Sequence, residues 1–166
     1  MARPYARDDY IGIVAKLREA VPDIAISTDI MVGFSGEKEA NFKNTVDFIK
    51  KIKPMRLHAF GFSKRPGTPA YDYNDSVNRV VKKRREHELM NIVKGFSKEF
   101  EAIFIGKDAN VLVEGERDKN GFLQGYTDRY IKVLIDGPDS AKSSLITCQL
   151  TYTPSLLPRE NAYQKA

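Results

Sequence analysis

The stretch IAISTDIMVG (Ile24–Gly33) is short, apolar and rich in β-branched residues. Pro22 and Asp23 precede it and GFSGE (Gly33–Glu37) follows, so it reads as a buried strand running into a glycine turn. On its N-terminal side, Tyr10, Ile13, Val14, Leu17, Ala20 and Val21 fall at helical spacing from Asp8 to Val21. On its C-terminal side, Phe42, Thr45, Val46, Ile49 and Ile52 mark a second amphipathic helix, closed by Pro54, and MRLHAFGF (Met55–Phe62) reads as a second strand. Helix, strand, helix and strand alternate over short connections, which is the pattern of parallel βαβ packing. Two parallel strands neither close a barrel nor make a stable doubly wound sheet. This segment is therefore expected to be part of a larger domain or to be completed by a partner chain.

After the Pro- and Gly-rich loop SKRPGTPAYDYND (Ser63–Asp75), Asp75 is the expected N-cap of a long third helix. Its core face is expected to carry Val77, Val80, Val81, Leu89, Ile92, Val93, Phe96 and Phe100. The pattern then changes to short strand-like runs, NVLVEGE, FLQGYT, RYIKVLID and LITCQLTYT, separated by RDKNG and GPDSAKSS. The expected fold class is α/β plus all-β: an incomplete α/β domain over 1–102, a small antiparallel barrel over 103–157 and a tail over 158–166.

Composition bounds the chemistry. The chain has 166 residues, of which 42% are apolar and 30% charged, which is globular usage. No run approaches the ~18 consecutive apolar residues of a membrane span, and the first twenty residues lack a signal-peptide core. A soluble cytoplasmic protein is the expectation. One cysteine, Cys148, excludes an internal disulfide and any iron–sulfur site built from several thiolates of this chain alone. Net charge is +5, with 19 basic and 14 acidic residues in 1–102 against 8 and 8 in 103–166. Such an excess permits a polyanionic partner without requiring one.

Several residues carry candidate chemistry. Gly33 and Gly36 let a backbone approach a ligand closely at the carboxyl end of the first strand, where α/β folds gather ligands. Asp29, inside an apolar strand, is expected either to pair with a cation within the sheet or to line a wet cavity, since a lone buried carboxylate is costly. Arg56, His58, Phe60 and Phe62 share one face if side chains alternate. His58 then suits a proton carrier or a satisfied structural histidine, and Arg65 an anion contact or a solvated surface group. RVVKKRRE (Arg79–Glu86) is read as a solvated helix face, with phosphate contact as the alternative. GYTDRYIKV places Tyr126, Arg129, Tyr130 and Lys132 together, aromatics interleaved with cations, as suits stacking on bases beside phosphates.

MARPY, STDIMVGFSGE, LHAFGFSKRPGTPA and IGKDANVLVE…GFLQGYTDRYIKV resemble, in this order, the C-terminal half of radical-SAM tRNA methylthiotransferases, most closely the MtaB-like branch. The resemblance covers about residues 1–152. It implies that 1–102 is the last part of an open (β/α) barrel and that the terminal strands form a TRAM domain, a small RNA-binding β-barrel. It implies S-adenosylmethionine contacts at Asp29, Met31, Val32, Gly33, Phe34, Phe60 and Gly61. It further implies substrate or tRNA contacts at His58, Ser63, Arg65, Tyr126, Arg129, Tyr130 and Lys132. Three positions depart from the family pattern: Ser35 stands for a proline, Gly61-Phe62 for Pro-Tyr, and Asp128-Arg129 for Asp/Glu-Asn.

The family's CxxxCxxC motif and its [4Fe–4S] clusters find no counterpart in this sequence. The chain is thus expected to be a C-terminal fragment, inactive alone, whose complete protein thiomethylates C2 of a hypermodified adenosine, N6-threonylcarbamoyladenosine, beside the anticodon. Two other readings remain open at this point. One is a stand-alone RNA-binding or scaffold module; the other is a nucleotide-binding α/β subunit whose open sheet is covered by a partner chain or a second copy.

Overall fold

The computed structural model of the chain describes residues 4–74, 77–152 and 163–164. Asp75, the expected helix cap, lies outside the described residues, as does Met1. The chain forms two compact units, Met1–Ser97 and Lys98–Ala166, so the long third helix spans the division.

The first unit contains α1 (Arg7–Ala20), β1 (Ser27–Val32), α2 (Glu39–Ile52), β2 (Arg56–Gly61) and the first part of α3 (Arg79–Ala102). α1 opens where the Ala6 N–H donates to the Asp9 carboxylate at 2.8 Å, and α2 where the Lys38 N–H donates to Asn41 Oδ1 at 2.9 Å. Each bond satisfies an amide at a helix start. Lys53 ends α2 in the left-handed region at φ 40°, directly before Pro54. Phe42, Val46, Ile49 and Ile52 form the buried stripe of α2 and pack with Val14, Ile26, Val32, Leu89 and Val93.

β1 and β2 pair in parallel, with Ser27 opposite Arg56 and Val32 opposite Gly61. The expectation of a buried strand over Ile24–Gly33 is corrected. β1 is six residues long, and the sheet has one covered face. Ile30, Leu57 and Ala59 pack on the helical core, whereas Ser27, Asp29, Arg56, His58 and Phe60 are exposed. The helices cover only one side of a two-stranded sheet, so the polar residues of β1 alternate outward into water. On α3, Val80 is 74% exposed and is not a core residue.

The second unit contains the end of α3, β3 (Asp108–Arg117), β4 (Leu123–Thr127), β5 (Lys132–Ile135), β6 (Leu145–Gln149), β7 (Thr151–Tyr152) and β8 (Tyr163–Gln164). These strands form one sheet in the order β6-β3-β4-β5-β8-β7. The expected small antiparallel barrel is met in part, since β3–β4, β3–β6, β4–β5 and β7–β8 pair antiparallel, with two differences. β5 pairs with β8 in parallel, and among the described residues no ladder joins β6 to β7. Only Leu150 separates those two end strands in the chain, so the sheet curls until its ends are covalent neighbours. Leu150 anchors the seam: its N–H donates to Lys107 O at 2.9 Å and its carbonyl accepts from the Gly106 N–H at 2.7 Å. Val111, Val113, Leu123, Ile131, Val133 and Leu150 fill the interior of the curl, each 1% exposed or less.

Arg117 ties two loops of this unit together, donating to Asp139 and to the carbonyls of Gly121 and Gly137. Hydrogen bonds from Lys142 and then Arg117 hold the Asp139 carboxyl below its ordinary value of 3.8. A carboxyl lowered by folding keeps its pairs above that ordinary value and loses them as pH falls through the lowered one. Titration of Asp139 by NMR should therefore give a midpoint below 3.8, moving up in Lys142→Met. A midpoint at the ordinary value would contradict these pairs.

Candidate functional site

Two groups of residues stand out in the first unit. The first is the open face of the sheet. Asp29 and His58 lie opposite each other in register, with Asp29 Oδ1 3.8 Å from His58 Nδ1 and side chains 73% and 75% exposed. Asp29 is therefore not a buried carboxylate, and His58 is not a core histidine. The His58 ring lies 5.4 Å from that of Phe60, and Met31 sits opposite Phe60. Phe62 leaves this face: it follows the end of β2, is 7% exposed and packs edge-on against Phe34 at 4.9 Å. Beside β1 lies a pocket of about 480 Å³ whose lining includes Tyr5, Tyr10, Asp29, Met31, Phe48 and Phe60. It combines flat apolar surface with a carboxylate.

The second group surrounds the carboxyl ends of both strands. Gly33 (φ 70°) and Gly36 (φ 75°) make the turn after β1, and both adopt the left-handed backbone that glycine tolerates. The Glu37 carboxylate accepts the Gly33 N–H and a bond from Arg85 Nη1 at 3.0 Å. Arg85, its side chain 4% exposed, also donates to Glu39 at 3.0 Å and lies 5.2 Å from the Phe42 ring centroid. Lys82, likewise buried, donates to Phe62 O at 2.8 Å. Hydrogen bonds from Arg84 and then Arg85 hold the Glu39 carboxyl below its ordinary value. Ser35 Oγ donates to Asn74 O at 2.6 Å, and Tyr73 meets the Phe34 ring at 6.0 Å.

The reading of RVVKKRRE as a solvated face is thus corrected. Two of its five cations are buried as struts against the turn after β1. The signal was present in the spacing, because Lys82, Arg85, Leu89 and Val93 lie on one helical stripe. Of the remaining expected residues, Val32 is fully buried, Gly33 and Phe34 sit inside the turn, and Gly61 ends β2 under α3. Ser63 and Arg65 are exposed in the following loop, and no side-chain hydrogen bond or ion pair joins either to Asp29 among the described residues.

In the second unit, Tyr126 lies opposite Lys132 in the β4–β5 ladder and opposite Leu112 in the β3–β4 ladder, while Leu112 faces Leu145 of β6. These four make one row across four strands, with Leu112 60% and Leu145 67% exposed. Both leucines escaped the sequence reading, although NVLVEGE alternates, turning Val111 and Val113 inward and Leu112 out. The β4–β5 turn is held by Thr127 Oγ1, which accepts from the N–H groups of Arg129 and Ile131 at 3.2 Å. Tyr130 stands exposed in that turn at φ 56°. Arg129 is engaged within the unit, bonded to Asp128 at 2.5 Å and stacked 5.4 Å over Phe104.

Geometry thus defines an α/β segment with a polar and aromatic open strand face, followed by a curled β unit. No family model matches the chain. Curated relatives do. The chain is 45% identical over 120 residues to the tRNA-2-methylthio-N(6)-dimethylallyladenosine synthase of Acetivibrio thermocellus, covering 72% of this chain and 25% of that protein. It is 41% identical over 132 residues to the threonylcarbamoyladenosine tRNA methylthiotransferase MtaB of Thermotoga maritima, covering 80% and 30%. It is 37% identical over 158 residues to the dimethylallyladenosine-type synthase of Thermus thermophilus, covering 95% and 34%. These matches place the chain in the tRNA methylthiotransferase family, and it spans between a quarter and a third of the length of these relatives. Relatives named for the dimethylallyl and the threonylcarbamoyl nucleoside match at overlapping identities.

Proposed function

We propose that the chain supplies one wall of an S-adenosylmethionine pocket and an RNA-binding β unit to a tRNA methylthiotransferase. The single observation behind this reading is the 37% identity to the Thermus thermophilus synthase over 95% of the chain. The open strand face is compatible with it: Met31 and Phe60 offer a surface for a flat purine, and Asp29 and His58 are in place to bond ribose hydroxyls. When bound, S-adenosylmethionine supplies the radical and the methyl group for thiomethylation of C2 on an N6-modified adenosine beside the anticodon. The motif likeness favours N6-threonylcarbamoyladenosine as that nucleoside.

The donor set does not fit a thiolate-held [4Fe–4S] cluster. Cys148 is the one cysteine of the sequence and is buried in β6, so the several thiolates such a cluster takes do not come from these 166 residues. The 166-residue chain alone is therefore expected to bind RNA without modifying it. Among the described residues no helix is long and apolar enough to cross a membrane.

Fluorescence anisotropy with a tRNA anticodon stem-loop tests the RNA half of this reading. Binding should weaken as salt rises, and Lys132→Ala should reduce the slope of log K against log salt by about 1. Lys132 is the informative cation, because Arg129 is already engaged by Asp128 and Phe104. Binding indifferent to both salt and Lys132 would overturn it.

A further inference from the structure

We propose that Lys82 and Arg85 are positioning residues that set the turn after β1 and the end of β2 for an adenosyl ligand. This rests on the reading of Met31–Phe34 as an adenosyl contact. The basic run on α3 has no place in the family motifs quoted above, yet its two inward cations reach the carboxyl ends of both strands. Arg85 bonds the side chain of Glu37 at 3.0 Å and its carbonyl at 3.3 Å, and that carboxylate in turn receives the Gly33 amide. Glu37 is 12% exposed and Arg85 4%, so the pair is largely sheltered from water.

Lys82 acts on the neighbouring strand end. Its ammonium bonds Phe62 O at 2.8 Å, and its stem occupies the space where Gly33 lacks a side chain. A β-carbon at Gly61 would likewise meet Lys82 Cβ at 3.4 Å and Glu86 Oε1 at 2.8 Å. Val32 and Gly61 are partners in the ladder, and the Phe62 N–H extends it by donating to Val32 O at 2.8 Å. One helical turn of α3 therefore fixes both backbone segments that flank Phe34. Preorganisation of this kind raises affinity by removing the cost of ordering the loop when ligand arrives.

The test uses the full 166-residue chain and two NMR readouts: amide exchange at Gly33, and titration with S-adenosylmethionine followed at Met31–Phe34. Arg85→Met should speed Gly33 exchange about tenfold relative to the Ile49 amide and weaken the ligand by a similar factor, as expected for loss of one charge-assisted bond. Arg85→Lys should recover part of both. Glu37→Gln, which keeps the shape of the side chain, should reproduce the Arg85→Met effect and serves if that variant does not fold. Global stability alone does not move the ligand constant while each variant stays folded. Unchanged Gly33 exchange in both Arg85→Met and Glu37→Gln would overturn the proposal. If the native chain shows no ligand shift at Met31–Phe34, the adenosyl reading falls, and faster Gly33 exchange would then leave a clamp without its ligand.

Discussion

Gly125→Ala should melt the β unit while leaving the α/β unit folded. Gly125 sits in the middle of β4, between Val113 of β3 and Val133 of β5. A β-carbon there would lie 2.6 Å from Val111 Cγ1, 2.7 Å from Leu112 O and 3.2 Å from Leu112 C. The valine methyl can rotate, but the Leu112 carbonyl belongs to the neighbouring strand and moves only if β3 moves. Overpacking a core costs about 1–3 kcal/mol and more where backbone must shift. A unit this small has a correspondingly thin margin, because it buries a smaller fraction of its surface than a full-sized domain. Residue-resolved NMR during urea unfolding should show native shifts lost at Val111 and Val133 and retained at Phe42 and Ile49. Gly115→Ala is the control: its added methyl meets nothing within 4 Å, and its effect should stay within about 0.5 kcal/mol. A Gly125→Ala chain with an unchanged urea midpoint would show that the strands are spaced more widely than described.

Much of this architecture is legible because local pattern and global packing agree. The buried stripe of α2 follows from spacing alone, and the turn glycines Gly33 and Gly36 follow from their place after an apolar run. The misread features are those that depend on what lies across the sheet. Asp29 looks buried in a linear reading, because a strand between helices ordinarily has both faces covered. Only the fold shows that α1, α2 and α3 leave its face to water. Lys82 and Arg85 look solvated because basic runs on helices usually are, yet Arg85 meets a carboxylate 48 residues away and Lys82 a backbone carbonyl 20 residues away. In the β unit, the short strand-like runs are legible, while the curl that makes β6 and β7 neighbours rests on β8, far along the chain. The candidate residues divide accordingly. Asp29, Met31, His58 and Phe60 gather on one face, whereas Val32, Gly33, Phe34 and Gly61 form the frame behind the turn.

Gly33→Ala should destabilise the α/β unit strongly, and adding Lys82→Ala in the double variant should cost little more. Two separate penalties meet at Gly33. Its φ of 70° is left-handed, which costs an L-residue about 1–2 kcal/mol. Its new β-carbon would also lie 2.4 Å from Lys82 Cγ and 2.9 Å from Cε, a clash with the stem of a buried side chain whose ammonium is tied to Phe62 O. Displacing that stem breaks the Lys82 bond and leaves a buried carbonyl unpaired, a further ~1–3 kcal/mol. The single Gly33→Ala change therefore costs about 3 kcal/mol in sum, with strain and clash contributing comparably. Lys82→Ala alone forfeits the bond to Phe62 O but also removes the obstacle. In its background Gly33→Ala should cost only the backbone term, about 1–2 kcal/mol, so the two changes are less than additive. Urea unfolding of the four chains measures the coupling directly. Strict additivity would mean that Lys82 does not press on Gly33, and the close approach of α3 to the turn would have to be abandoned. Coupling of the expected sign, together with slower Gly33 exchange in the native chain than in Lys82→Ala, would establish that a lysine stem fills the place of the missing side chain.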